Sequence, residues 1–236
     1  WVTLPLAMHG VVAKKDGSTV QINIGEKPED PVFGVSDLLI HLAGEQMEKK
    51  ASKVIEGENL DLLVGSIPAA SDDEKEKKEM KDRVKANILN ILSKEYGVDE
   101  EDFLSAEIEV VPAGAARDYG FDRSMIASYG HDDRVCAYTA LMAAINCTAP
   151  AKTTVTILAD KEETGSDGNT GLQSSYLKYF IADLAEPFGI AGRTVLSHSK
   201  CLSADVNAAF DPTFADVTER NNCAYLNYGV VITKYT

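Results

Sequence analysis

A mixed α/β fold, with a mostly parallel sheet flanked by helices and a separate β-rich domain, is predicted by three features of the sequence. Period-two alternation around the Asp16-Gly17 turn signal marks a hairpin near the start. After Arg117, apolar β-branched runs alternate with stretches of helical spacing, the ordering that lays helices over both faces of a parallel sheet. The 236 residues are 44% hydrophobic and 25% charged, ample apolar material for a core.

The elements follow in order. Residues 9–24 read as the hairpin: Val11 and Val12 precede the turn, and Val20, Ile22 and Ile24 alternate with polar residues after it. Pro28 and Pro31 mark a loop. Ser36 or Asp37 can cap a helix running through Leu38, Leu39, His41 and Leu42 to about Lys50. The charge run at 71–83 continues into Val84, Ile88, Leu89, Ile91 and Leu92 at helical spacing and ends near Gly97, with acids before bases as the helix dipole favours. Residues 105–111 alternate as a strand, and 112–116 form a small-residue linker. Next come a helix from Asp132 through Ala137, Leu141 and Ala144, and a buried strand at 152–159. A helix through Leu172, Tyr176, Phe180, Ile181 and Leu184 follows, then strands at 194–197 and 228–234. The implied division is a short leading segment at 1–8, a β-rich domain at 9–117 and an α/β domain at 118–236.

Charge narrows the classes of partner. With 23 basic and 37 acidic residues the net charge is −14, which repels nucleic acid and anionic membrane surfaces. No run of about 18 apolar residues is present to span a bilayer. The four cysteines form no CxxC pair and suggest no disulfide framework, so reduced thiols in a cytoplasmic setting are expected.

Three acidic clusters carry candidate chemistry. Glu162 and Glu163 stand in Asp160-Lys161-Glu162-Glu163-Thr164-Gly165-Ser166, directly after the strand expected at 152–159. Functional groups of α/β sheets gather at carboxyl ends of strands, and adjacent glutamates there point apart, one free to bind metal while the other holds a water. A lone Glu-Glu pair is more commonly just solvated. The stretch Gly130-His131-Asp132-Asp133-Arg134 opens a helix, and Ser203-Ala204-Asp205-Val206-Asn207 follows an expected strand. Three such carboxylate sites can converge on divalent ions, zinc included. Asp132 and Asp205 can equally serve as plain helix caps.

Several segments resemble the aspartyl aminopeptidase and aminopeptidase I family of two-zinc exopeptidases. They are 116–124 (Ala-Arg-Asp-Tyr-Gly-Phe-Asp-Arg-Ser), 130–136, 160–166 and 202–205, and they occur in the family's order. Residues 25–26, 30–33 and 37–42 are similar to the family's inserted lid and dimerisation domain. The resemblance implies a zinc-exopeptidase-like catalytic domain at 118–236, preceded by the lid at 9–117 and by the end of a catalytic segment at 1–8. It implies an aminopeptidase acting on peptides with a free N-terminus through a water activated by two metals. Asp133 would bridge two zinc ions, with Co2+ or Mn2+ as alternatives, and Glu163 and Asp205 would each bind one. Glu162 would be the general base. His41 matches a lid histidine that reaches a neighbouring subunit's site, and the implied assembly is a homo-oligomer of dimers forming a tetrahedral dodecamer.

Other candidates rank lower. His131 stands where the family shows Gln, and hydrogen bonding beside the site fits it better than ligation. His9 and His198 read as structural or surface residues. Cys136 and Cys201 flank the site without being needed by it, and Asp160 reads as orienting the loop. The motif wording is closer to the aminopeptidase I branch, which implies a preference for neutral N-terminal residues.

One departure qualifies the resemblance. The family draws a histidine ligand from an N-terminal His-x-Asp segment and another from near the C-terminus, and neither of those two segments is present in this sequence. The expectation is therefore a truncated catalytic domain, with the sequence recording part of a longer chain. The competing readings are a non-catalytic assembly subunit or fragment with an incomplete metal site, and a related tetrahedral aminopeptidase with another lid. The segments at 37–42 and 116–124 speak against the last.

Overall fold

The structure, a computed structural model, describes residues 2–70 and 82–233. The chain divides into two compact units, Trp1–Tyr129 and Gly130–Thr236.

The first unit is built on an antiparallel sheet in which β1 (Leu6–Ala13) lies between β2 (Thr19–Ile24) and β5 (Ala106–Pro112). The hairpin expected at 9–24 is the β1–β2 pair, in a register that sets Met8 opposite Ile24 and Val12 opposite Val20. Alternation along β2 turns Ile22 and Ile24 into the core, where they join Val12 and Val98. The middle strand admits close neighbours because it carries Gly10, at which a Cβ would lie 2.0 Å from the Glu107 carbonyl oxygen.

Helix α2 (Arg83–Tyr96) covers this core at its C-terminal end. The Asp82 carboxylate caps it by accepting from the Lys85 amide at 3.1 Å. Gly97, at φ 64°, closes it: its N–H donates to the Ser93 carbonyl at 3.0 Å, and Val98 N–H donates to Leu92 at 3.3 Å. That turn delivers Val98 into the core, 1% exposed. The charge run expected before this helix falls at 71–81, outside the described residues.

Two expectations for the first unit change. The helix expected from 37 to 50 reduces to one turn, α1 (Gly44–Met47). Leu38, Leu39, Ile40 and Leu42 are exposed, so the apolar stripe that would have stabilised a longer helix faces no core here. Asp37 instead accepts from the Leu38 amide and from Gln46 Nε2, an arrangement that fixes a loop. Strands β3 (Gly34–Val35) and β4 (Leu62–Leu63) pair across this region. After the 112–116 linker comes an unanticipated hairpin, β6 (Arg117–Tyr119) with β7 (Met125–Ala127). Its turn carries Gly120 and Arg123 at positive φ, and Asp122 accepts from the Ser124 amide.

The second unit is helical and irregular. Helix α3 (His131–Asn146) matches its expectation, while α4 (Tyr176–Ala185) starts later than Leu172. The strand expected at 194–197 is helix α5 (Gly192–His198). Its β-branched residues are overridden by packing: at Gly192 a Cβ would meet Ala182 Cα at 2.7 Å, so α5 approaches α4 through a glycine that strand pairing would not use.

The expected mostly parallel sheet is not seen among the described residues. All three sheets among the described residues are antiparallel, and Ala209 with Ala224 forms one isolated parallel bridge. Residues 153–160 and 228–233 are irregular, with Val155, Ile157, Leu158, Val230 and Ile232 exposed, and Lys234 lies outside the described residues. A strand exists only through a partner for its amides and carbonyls, and no described segment pairs with either stretch. The observed class is mixed α/β with small antiparallel sheets.

Candidate functional site

Four of the five expected site residues lie in the second unit, on three short segments. Asp133 stands in the first turn of α3, beside Asp132. Both have non-helical backbone angles, the peptide between them is cis, and regular helix begins only at Arg134. Gly130 enters the helix at φ 77°, where a residue with a Cβ would be strained.

Glu162 and Glu163 occupy a 3-10 turn, Glu162–Thr164. Left-handed residues shape it at both ends, Lys161 at φ 58° before it and Gly165 at φ 93° with Ser166 at φ 59° after it. The Ser166 amide donates to the Lys161 carbonyl at 2.9 Å, which closes the loop at its base. Both glutamates are exposed. Asp205 lies in irregular chain, its carboxylate accepting from the Val206 amide at 2.7 Å.

Charges on these segments act on one another. The Glu162 carboxyl is held above its usual value, first by the charge of Glu163, then by partial desolvation and by Asp205, Asp132 and Asp133. The Cys136 thiol, one helical turn beyond Asp132, is raised by burial and then by Asp205, Asp133 and Asp132. Asp160 is lowered by a hydrogen bond from Thr170 and by Lys161, 3.4 Å away. It braces the loop, the role expected for it.

Carboxylates on neighbouring segments are a donor set suited by charge and by oxygen chemistry to divalent cations. Among the described residues, no three histidine, cysteine or acidic groups stand close enough to hold an ion by themselves. The acids are thus gathered without forming a closed ligand shell. His41 is exposed in the loop before α1, in the first unit. His131 opens α3, and His198 ends α5 with its Nδ1 at 2.8 Å from the Thr194 carbonyl oxygen. His9 Nε2 meets Glu26 Oε1 at 2.8 Å on the β1–β2 sheet.

Contacts that sequence reading missed are those of 170–173 with the Glu162–Glu163 turn. Thr170 Oγ1 donates to Asp160 Oδ2 at 2.8 Å, and Gln173 donates from both its amide and its side chain to carbonyls of the turn. The Gly168 and Gly171 spacing was the available signal, but irregular backbone has no period to read.

Comparison with known proteins shows the family that the motifs resemble. Residues 1–236 match the family described as aminopeptidase I zinc metalloprotease (M18). A probable M18 family aminopeptidase 1 from Clostridium acetobutylicum is 55% identical over 240 residues, covering 100% of this chain and 50% of the relative. The crystal structure of aminopeptidase I from that organism superposes with a TM-score of 0.80 at 55% identity, covering 96% of this chain and 48% of the other. An M18-family aminopeptidase structure from Thermotoga maritima gives a TM-score of 0.83 at 45% identity, covering 97% and 50%. The chain spans about half the length of the curated relatives it matches. It belongs to the aminopeptidase I zinc metalloprotease (M18) family.

Proposed function

We propose that the intact protein is a metal-dependent aminopeptidase that removes N-terminal residues from peptides with a free amine. The observation that carries this reading is the match of residues 1–236 to the aminopeptidase I zinc metalloprotease (M18) family, with Asp133, Glu162, Glu163 and Asp205 all in the second unit. Asp133 would be shared between two zinc ions, and Glu163 and Asp205 would each hold one. Bound there, the zinc pair would polarise the scissile carbonyl and favour loss of a proton from a water. Glu162 takes that proton and passes it to the leaving amine. An exposed turn suits this task, because the carboxylate must reach solvent to collect water and release product.

The β-rich first unit would act as a lid and dimerisation domain, bringing His41 to a neighbouring subunit's site in a homo-oligomer whose dimers assemble into a tetrahedral dodecamer by family resemblance. Exposed Leu38, Leu39, Ile40 and Leu42 around His41 support a covered surface there. A mostly parallel sheet completing the second unit is supported by exposed Val155, Ile157 and Leu158, which a pairing strand and covering helices would bury. A cytoplasmic setting is supported by four free cysteines.

The test uses the intact protein and leucine-ended peptides, free or N-acetylated, with and without a chelator. Cleavage of the free peptides alone, lost on chelation and restored by zinc, is expected. Cleavage of blocked peptides, or indifference to chelation, would overturn the proposal.

A further inference from the structure

We infer that Thr170, Gly171 and Gln173 form a strap that aims Glu162 and Glu163, and that Thr170 and Gln173 are positioning residues of the site. The inference rests on the aminopeptidase reading above, and it concerns residues outside the acid clusters. The Glu162–Thr164 turn leaves irregular chain at Asp160, with no strand ladder to fix its direction. Three left-handed residues, Lys161, Gly165 and Ser166, define its shape, but shape alone does not orient two exposed carboxylates.

The segment 170–173 supplies that orientation from two sides. On the entry side, the Thr170 hydroxyl donates to Asp160 Oδ2 at 2.8 Å, two residues before Glu162. On the exit side, Gln173 Nε2 donates to the Gly165 carbonyl, and the Gln173 amide donates to the Ser166 carbonyl at 3.3 Å. Between the two clamps lies Gly171, which is buried. A Cβ on Gly171 would fall 2.0 Å from the Ser166 carbonyl oxygen and 2.5 Å from that of Asp167, so only glycine lets the strap lie this close. Within the turn, Thr164 Oγ1 donates to the Lys161 carbonyl at 3.0 Å, so the unit held by the strap is itself internally bonded. Outer groups of this kind fix ligand direction, and their loss typically costs about 10- to 100-fold in metal affinity or activity.

Thr170→Val and Gln173→Glu in the intact protein test the strap. Valine matches threonine in shape without the hydroxyl, and glutamate matches glutamine without the side-chain donor. Cobalt(II) is titrated into each metal-free protein and followed by its visible absorption spectrum, alongside kcat and KM for a leucine-ended peptide. The expected result is a changed cobalt spectrum, about 10- to 100-fold weaker cobalt binding and a lower kcat with little change in KM, at unchanged thermal unfolding. Thr170→Ser, which keeps the hydroxyl, is expected to restore the spectrum and the rate. Variants whose spectrum, affinity and kcat equal those of the unsubstituted protein would overturn the strap alone. An unsubstituted protein that neither binds cobalt nor cleaves would overturn the aminopeptidase reading, and the strap with it.

Discussion

Glu162 is set apart from its neighbours by the company it keeps. Four carboxylates press on it, and no cationic side chain is among the groups shifting it, so its proton affinity rises where that of Asp160 falls. Two acids of one loop thus have opposite environments, a division typical of an acid–base group near a structural one. Glu162→Gln keeps size and hydrogen bonding while removing the base. It is expected to lower kcat by about 10²- to 10⁴-fold with zinc content unchanged, as read by steady-state kinetics and metal analysis. Loss of zinc together with activity would instead assign Glu162 to ligation. Asp133, Glu162, Glu163 and Asp205 stand out in the sequence as candidates because short motifs carry them. Thr170 and Gln173 were not, because contacts between irregular segments leave no spacing in the sequence.

At the scale of elements, local signals were reliable wherever the element closes on itself. Helix α2 has its Asp82 cap and Gly97 stop within its own sequence, and the β1–β2 hairpin has Asp16-Gly17 and its alternation. The element most sensitive to a single change is β1. Gly10 lies opposite Ile22 on one side and Ile108 on the other, and a Cβ there would strike the Glu107 carbonyl. Gly10→Ala is expected to destabilise by about 1–3 kcal/mol or more, the range for forcing extra volume into a packed site. Denaturant melts of the two proteins measure it, and equal midpoints would mean that β5 yields at no cost. Helix α5 was misread as a strand because its Val195 and Leu196 favour either state. The close approach of Gly192 to Ala182 goes with the helix.

Over the whole molecule, function depends on surfaces that the chain exposes. Leu38, Leu39, Ile40 and Leu42 are between 55% and 69% exposed, more contiguous apolar area than a monomer's loop usually shows. In the intact protein, Leu39→Asp with Leu42→Asp is expected to lower the assembly mass measured by light scattering, since charges at an apolar contact are left desolvated. A mass equal to that of the unsubstituted protein would remove this loop from the interface. The sequence by itself determined the acids, their order, the hairpin and the helix that ends at Gly97, because each of those signals is written within a few neighbouring residues. Tertiary structure alone decided that 153–160 runs unpaired, that 192–198 is helical and that 170–173 clasps the glutamate turn. Pairing, close approach and long-range hydrogen bonds need a partner in space, and nearby residues cannot specify one.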